Sequence, residues 1–377
     1  MKKLSSRINK ITIVTGIYPP DIGGPATFIP SFAENIFTLG IGVEVITLGE
    51  NFNSSTCPFL VTRIKRSLWH PLRSFLVIIA IMKSARNSDL IFSNTLDFES
   101  AISSIILRKK RVQKVVGDIA WERANLSARY AGTLDDYQNA KLDYRSILTN
   151  FYRNFSVWQA GLIITPSSYL KRVVRNWTNS KKEIHVIYNN VEFKQRNKML
   201  EKDKFRLISI ARLIPHKGIE SILLALKELS FDFEYIVIGD GPLRTHLEKM
   251  AKNFRLDVSF IRSVDKQEIS NWLSSSDLFI LNSSYEGLPH VIIEAMSHSC
   301  LVLASKVGGT VELVNDGVDG FLFDYNKTEQ ISNAVNELYC NPELRKRISN
   351  AAKKKSKKFT DSFSMTKRYL DLFEKNL

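Results

Sequence analysis

The feature that most constrains this chain is an alternation of short β-rich runs with helical stretches. It runs its course, breaks at a charged segment and starts again. In the first half the β-rich runs are ITIVTGIY (11–18), VEVITL (43–48), LVTRIK (60–65), LIFSNT (90–95), KVVGDI (114–119) and LIITPS (162–167), with helical stretches such as 71–86, 98–107 and 136–160 between them. In the second half they are RLISIAR (206–212), YIVIGDG (235–241), VSFIRS (258–263), LFILNSS (278–284), LVLASKV (301–307) and GFLFDY (320–325). Helices are expected there at about 217–229, 242–254, 266–275, 290–298 and 327–339. Several runs are apolar on both faces, as parallel strands covered by helices on each side must be. The alternation implies α/β sheets with right-handed crossovers. The polar stretch VEFKQRNKMLEKDKF (191–205) marks the boundary. Two doubly wound domains are therefore expected, 1–190 and 191–360, with a cleft between them, and 377 residues suit two domains.

Charge is spread unevenly. Residues 1–190 hold 25 Lys+Arg and 13 Asp+Glu, a net +12, while residues 191–377 hold 28 and 25, a net +3. A basic amino-terminal half suits an acidic partner such as anionic lipid or a phosphorylated substrate, or simply solubility. No zinc-finger, RNP-type or basic-zipper pattern is present, so nucleic acid is not an expected partner. The three cysteines, Cys57, Cys300 and Cys340, show no disulfide or zinc spacing, which suits a reducing cytoplasm. The start, MKKLSSRINKITIV, lacks the long apolar core and cleavage site of a signal peptide. The longest apolar run, FLVIIAIM (75–82), is far shorter than the ~20 residues that cross a bilayer. A soluble or peripheral protein is expected.

In doubly wound sheets ligands sit outside the carboxyl ends of the strands, so the loops after the strands carry the chemistry. In YPPDIGGPA, Gly23 and Gly24 precede a helix, where backbone N–H groups can approach a phosphate or sugar; a plain tight turn is the alternative. GDGPLR (239–244) lacks the third glycine of a dinucleotide fingerprint, and a structural turn is the favoured reading. In ARLIPHKGIE, Arg212 ends a strand and Lys217 opens a helix. An Arg there suits phosphate oxygens and a Lys adds a point charge. In YEGLPHVIIEAMSHSC (285–300), Pro289 fits the first turn of a helix, which leaves Glu286 in the loop and Glu294 on the helix. Gly287 lets backbone N–H groups face a ligand. Glu294 is placed either to accept from a sugar diol or to act as a cap or salt-bridge partner. For KVGGTVELV (306–314) and its Glu312, a tight turn is the favoured reading.

Together these loops resemble the retaining glycosyltransferases of family 4, whose GT-B fold sets two Rossmann-like domains face to face. The segments SIARLIPHKGIESILLAL, VIGDGPLR and YEGLPHVIIEAMSHSCLVLASKVGGTVELVNDGVDGFLF carry the likeness in order and spacing. The resemblance implies a carboxyl-terminal domain that binds a nucleotide sugar. Arg212 and Lys217 would hold the diphosphate, Glu294 the ribose hydroxyls, and Glu286 would face the transferred sugar beside the amides of Gly287 and Leu288. Gly23 and Gly24 would approach the donor phosphate and the acceptor from the other domain, and a closing helix, about 361–377, would pack back on that domain. Many members carry a histidine after the fifth strand. This chain has VVGDIAWERA instead, similar to a bacterial subgroup with GDxAWE. Asp118 would then face the sugar or acceptor, or orient Trp121, or cap the following segment.

The family implies transfer of a sugar, with retention of configuration, to a saccharide or lipid-linked acceptor, as in the synthesis of cell-surface polysaccharide or lipopolysaccharide. No DxD motif lies in a plausible metal loop, so neither a metal nor another cofactor is expected. Residues 68–86 and RKKR (108–111) suggest docking on an anionic surface at the inner face of the plasma membrane, with 74–82 read as a core helix. Two other functions share the fold: a nucleotide-sugar epimerase, for which His290 is the one histidine plainly in a ligand loop, and a non-catalytic nucleotide-sugar-binding protein.

Overall fold

Each of the two strand–helix series closes into its own parallel sheet. The computed structural model describes residues 8–21, 23–50, 57–178, 182–191, 198–262 and 264–376. The chain divides into two compact units, Met1–Asn190 with Asp361–Leu377, and Val191–Thr360. Of the charged boundary stretch, residues 192–197 lie outside the described residues.

The first unit holds strands β1 (Lys10–Val14), β2 (Gly42–Leu48), β3 (Leu60–Ile64), β4 (Leu90–Ser93), β5 (Lys110–Lys114), β6 (Leu162–Thr165) and β7 (Ile184–Val186). Their order is β3-β2-β1-β4-β5-β6-β7, all pairs parallel. The helices are α1 (Gly24–Thr38), α2 (His70–Ala85), α3 (Asp97–Leu107), α4 (Ile119–Leu126), α5 (Leu134–Tyr137), α6 (Tyr144–Gln159) and α7 (Ser168–Trp177). Side-chain alternation sorts the strands onto two faces. Ile11, Ile13, Val45 and Phe92 pack with α1 and with the returning helix Ser362–Asn376. Val14, Ile46 and Ile91 pack with Val77 and Ile81 of α2. The returning helix contributes Met365, Tyr369, Leu370 and Phe373 to this core. Tyr369 meets Phe32 edge-on with centroids 4.9 Å apart and Phe92 at 5.9 Å.

Strand β5 lies earlier than the apolar run KVVGDI suggests. Helix α3 ends at Arg108 in the left-handed region, and the chain enters the sheet at Lys110. The strand reads KRVQK, too polar to look like one, yet Arg111, Gln113 and Lys114 are all buried. This corrects the reading of RKKR as a run of surface charge: Arg108 and Lys110 are exposed and Arg111 is internal. Arg111 donates to Ser93 Oγ at 3.0 Å, Gln113 Oε1 at 3.1 Å and the Ser156 carbonyl. Burial lowers its guanidinium to about 10, and burial raises neighbouring Asp97 to about 6 while Arg111 pulls it back. Lys114 donates to Asn189 Oδ1 at 2.6 Å and sits 3.0 Å from the centroid of the Phe28 ring. Burial holds its amine well below the usual lysine range. The expected helix 136–160 is split, because Asp143 caps α6 by accepting from Ser146 N at 3.2 Å. Elements β7 and α7 escaped the sequence reading; β7 is three residues long, and α7 interleaves its buried Tyr169, Leu170, Val173, Val174 and Trp177 with polar residues.

The second unit holds β8 (Phe205–Ile210), β9 (Phe233–Ile238), β10 (Val258–Ile261), β11 (Leu278–Leu281), β12 (Leu301–Ser305) and β13 (Phe321–Phe323), ordered β10-β9-β8-β11-β12-β13. Its helices are α8 (Ile219–Leu226), α9 (Arg244–Asn253), α10 (Lys266–Ser274), α11 (His290–Ser297), α12 (Thr310–Leu313), α13 (Thr328–Cys340) and α14 (Pro342–Ser356). Leu207, Tyr235, Val237 and Ile280 pack with Ile222, Leu226 and Val335 in its core. Among the described residues no helix is long and apolar enough to cross a membrane.

Replacing Tyr369 with Ala is expected to destabilise the first unit by about 3 kcal/mol or more, read as a lower midpoint of its urea transition. Its hydroxyl has no hydrogen-bond partner among the described residues. Tyr369→Phe is therefore expected to be neutral or stabilising by roughly 1 kcal/mol in the same measurement.

Candidate active site

In the second sheet the chain leaves β8 toward β9 on one side, while β11 leads to β12 on the other. Diverging crossovers leave a crevice at the carboxyl ends of β8 and β11. The loops that meet there are Ala211–Gly218 and Asn282–Pro289.

Backbone and side-chain hydrogen bonds stitch these loops together. Ser284 N donates to the His216 carbonyl at 2.9 Å, and Asn282 Nδ2 donates to the Gly218 carbonyl at 2.9 Å. Residues Pro215–Lys217 form a 3-10 turn, so Lys217 ends that turn and does not open a helix; Gly218 caps α8 instead. Gly218 has φ 56°, and a Cβ there would lie 2.4 Å from the Asn282 carbonyl oxygen. Both constraints require glycine. The glycines of GDGP act likewise, since a Cβ on Gly239 would lie 1.9 Å from the Ala211 carbonyl oxygen. On the other flank Gly309 N donates to the Glu286 carbonyl at 2.7 Å, and a Cβ on Gly309 would lie 2.1 Å from the Gly287 carbonyl oxygen.

This packing sets the side chains. Lys217 Nζ lies 2.6 Å from Glu286 Oε1, and Ser283 Oγ donates to the same oxygen at 2.6 Å. Both charged groups are largely buried, with 18% and 12% of their side-chain surface exposed. Such a pair is costly to break by removing one partner, because the other charge is left uncompensated. Arg212 is exposed in the loop after β8, and its guanidinium makes no ion pair among the described residues. His216 lies between the two cations in sequence; burial first, then Lys217 and Arg212, lower its imidazole to about 4. The loop is thus electropositive, and this histidine is neutral at physiological pH.

Gly287 and Leu288 are buried just ahead of α11. Their backbone N–H groups donate no hydrogen bond among the described residues. Unsatisfied N–H groups at a helix N-terminus favour an anion or an oxygen-rich ligand. Glu294, on α11, is half-buried; burial raises its carboxyl to about 7, with Lys266 of α10 pulling it back. It makes no side-chain hydrogen bond or ion pair among the described residues, so neither the capping nor the salt-bridge alternative describes it.

In the first unit Gly23 caps α1 with φ 149° and Gly24 is the first residue of that helix. Asp118 is fully buried. Its Oδ1 accepts from Ala120 N at 2.9 Å and Trp121 N at 3.3 Å; its Oδ2 takes Arg153 Nη1 at 2.5 Å and Gln138 Nε2 at 3.2 Å. Of the roles open to it, capping is the one the structure shows, and the idea that its carboxylate faces a sugar is corrected on that ground. Trp121 is fully buried beside it. Sequence reasoning missed Ser283, Asn282 and His216; the only signal was their place in loops after β8 and β11. Among the described residues no three His, Cys, Asp or Glu side chains cluster so as to hold a metal.

Residues 190–355 match the family described as Glycosyl transferases group 1. That match spans nearly all of the second unit and less than half of the chain. Among curated relatives, an uncharacterized glycosyltransferase of Methanocaldococcus jannaschii is 30% identical over 219 residues, which is 57% of this chain and 60% of that protein. The N-acetylgalactosamine-N,N'-diacetylbacillosaminyl-diphospho-undecaprenol 4-alpha-N-acetylgalactosaminyltransferase of Campylobacter jejuni is 26% identical over 58% of this chain and 62% of its own length. The chain thus spans about 60% of the length of these two relatives. The crystal structure of Anabaena HepE in complex with UDP-glucose superimposes with a TM-score of 0.78 at 19% identity, covering 98% of this chain and 100% of that one. At that identity the likeness establishes the fold alone, GT-B.

Two changes test the site's construction. Gly309→Ala is expected to push the Glu286–Gly287 backbone away and to destabilise the second unit by roughly 2 kcal/mol or more in chemical denaturation. Glu294 has a folded pKa above its unfolded value, so its protonated form is the favoured one. The stability this contributes is fully present below about pH 4.5 and is lost as pH rises through about 7. Glu294→Gln is therefore expected to match the parent at low pH and to exceed it by about 2 kcal/mol at pH 8, its partial exposure allowed for.

Proposed function

We propose that the chain transfers a sugar, with retention of configuration, from a nucleotide diphosphate sugar to a saccharide or lipid-linked acceptor in cell-surface polysaccharide or lipopolysaccharide synthesis. The observation that carries this reading is the crevice at β8 and β11, where Arg212, the Lys217–Glu286 pair and the open N–H groups of Gly287 and Leu288 lie on two interlocked loops, with Glu294 on the helix that follows. The UDP-glucose held by the Anabaena neighbour and the diphospho-undecaprenol in the Campylobacter relative's name support donor and acceptor of these classes. The GDIAWE segment, 117–122, supports placement with the bacterial subgroup carrying GDxAWE. The unpaired cysteines support a cytoplasmic site of action.

Chemically, the bond from the sugar's anomeric carbon to the diphosphate oxygen breaks and a bond to the acceptor oxygen forms. The acceptor's proton passes to the departing diphosphate. Negative charge grows on the diphosphate, and Arg212, Lys217 and the N-terminus of α11 are the groups suited to stabilise it. A diphosphate oxygen reaching Lys217 competes with Glu286 for that amine, which frees the Glu286 carboxylate for a sugar hydroxyl. Glu294 suits the ribose diol. Attack from the leaving-group face gives retention without a covalent intermediate, with the Glu286 carboxylate, held by Ser283, turned to a sugar hydroxyl. Cation side chains supply the charge compensation, so no metal is required.

Nucleoside diphosphate release from a panel of UDP-, GDP- and ADP-sugars, with acceptor extract, tests the reading. Turnover with one donor is expected, unchanged by EDTA, with the product's anomeric configuration retained by NMR. Lys217→Ala and Glu286→Gln are each expected to lower it by ~100-fold or more. Unchanged rates in both variants would reject the site. Donor binding without turnover would favour the binding-protein reading, and a changed free nucleotide sugar the epimerase.

A further inference from the structure

On the first unit, helices α2, α3 and α6 lie side by side. Ser74 of α2 donates to Glu99 of α3 at 2.7 Å, and Phe98 of α3 meets the rings of Tyr152 and Phe155 on α6 at 4.9 and 5.9 Å. Each helix turns a conventional face inward: Val77 and Ile81 of α2 and Ser156 and Val157 of α6 are buried. The outward stripes are apolar too. Trp69, just before α2, is 76% exposed and Phe75 is 60% exposed; on α6 Phe151 is 62% and Trp158 60% exposed. At the end of α3, Ile105 and Ile106 are also exposed. Single exposed apolar residues need no explanation, but neighbouring helices that are apolar outward mark a docking surface.

Charge decides the occupant. Neither α2 nor α6 contains an aspartate or glutamate, and exposed cations accompany the stripes: Lys83 on α2, Arg108 after α3 and Arg145 on α6. The two acids of α3 sit in its first turn, where Glu99 is buried against Ser74. A groove of about 440 Å³ between β3 and α2 is lined by Leu68, Leu76 and Ile79 together with Lys65 and Lys83; its one acid, Glu44, is paired with Lys10 at 3.1 Å. A second copy of this chain would meet the cationic face with an identical cationic face, which repels. Aromatic side chains among cations suit the headgroup boundary of an anionic bilayer.

We propose that α2, the end of α3 and α6 form one membrane-docking face, which seats the first unit on an anionic phospholipid surface with Trp69, Phe75, Phe151 and Trp158 in the headgroup layer. It departs from the expectation drawn from sequence by adding α6 as a main anchor. The proposal does not rest on the catalytic reading, because vesicle binding is measured without donor or acceptor.

The test is flotation of the full chain with vesicles of phosphatidylcholine mixed with phosphatidylglycerol, and with phosphatidylcholine alone. Binding to the anionic vesicles only, weakened by salt, is expected. Trp69→Glu with Phe75→Glu, and Phe151→Glu with Trp158→Glu, are each expected to lower that binding at least tenfold. Brominated lipids provide a readout on the unaltered protein: they are expected to quench its tryptophan emission, and less so after Trp69→Phe with Trp158→Phe. Absence of flotation, equal flotation with uncharged vesicles, or absence of quenching overturns the proposal. So does a concentration-dependent dimer that the glutamate substitutions abolish, which would assign the face to a second copy.

Discussion

At the ligand edge of the second unit, carbonyl oxygens occupy the space where side chains would begin. Ala211, Asn282, Glu286 and Gly287 each press a carbonyl to within 2.4 Å of where a glycine's Cβ would stand. This contact of backbone with backbone holds four loops in register, and every side chain of the candidate site hangs from it. A site built this way needs little rearrangement to place its charges, which is the physical content of preorganisation. It also makes the glycines of the site structural first: they touch each other's chains, and the charged groups are left to meet the ligand.

The Lys217–Glu286 pair is the electrostatic counterpart of that packing. Two opposite charges on different loops, both mostly shielded from water, compensate each other across the crevice. In the proposed reaction an anionic diphosphate would exchange one partner of Lys217 for another, so the amine would not be left alone in a poorly solvated place. Ser283, donating to the same carboxylate oxygen, gives Glu286 a second partner besides Lys217.

The sequence made much of this legible and hid some of it for definable reasons. Buried parallel strands such as LFIL and LVLAS announce themselves because both faces are apolar. Strand β5 did not, because Arg111 and Lys114 are buried through partners contributed by Ser93, Ser156 and Asn189, distant in sequence. The placing of Glu286 and Lys217 in loops after β11 and β8 was legible, but their direct pairing was not, since it depends on the stitching of Ser284 to His216. Of the three roles the sequence left open for Asp118, the structure shows the helix cap, its other oxygen satisfied by Arg153 and Gln138 from a helix pair whose break at Asp143 the periodicity did not show.

The returning helix has a consequence for the order in which the molecule is made. The second unit is one uninterrupted stretch of chain, whereas the first is closed only by Met365, Tyr369, Leu370 and Phe373. On the ribosome the second unit can therefore complete its core while the first still exposes Phe28, Phe32 and Phe92 to solvent. A chain stopped after Thr360 would carry a finished second unit and an unfinished first unit with an open aromatic face, the kind of intermediate that chaperones recognise and that aggregates when they do not.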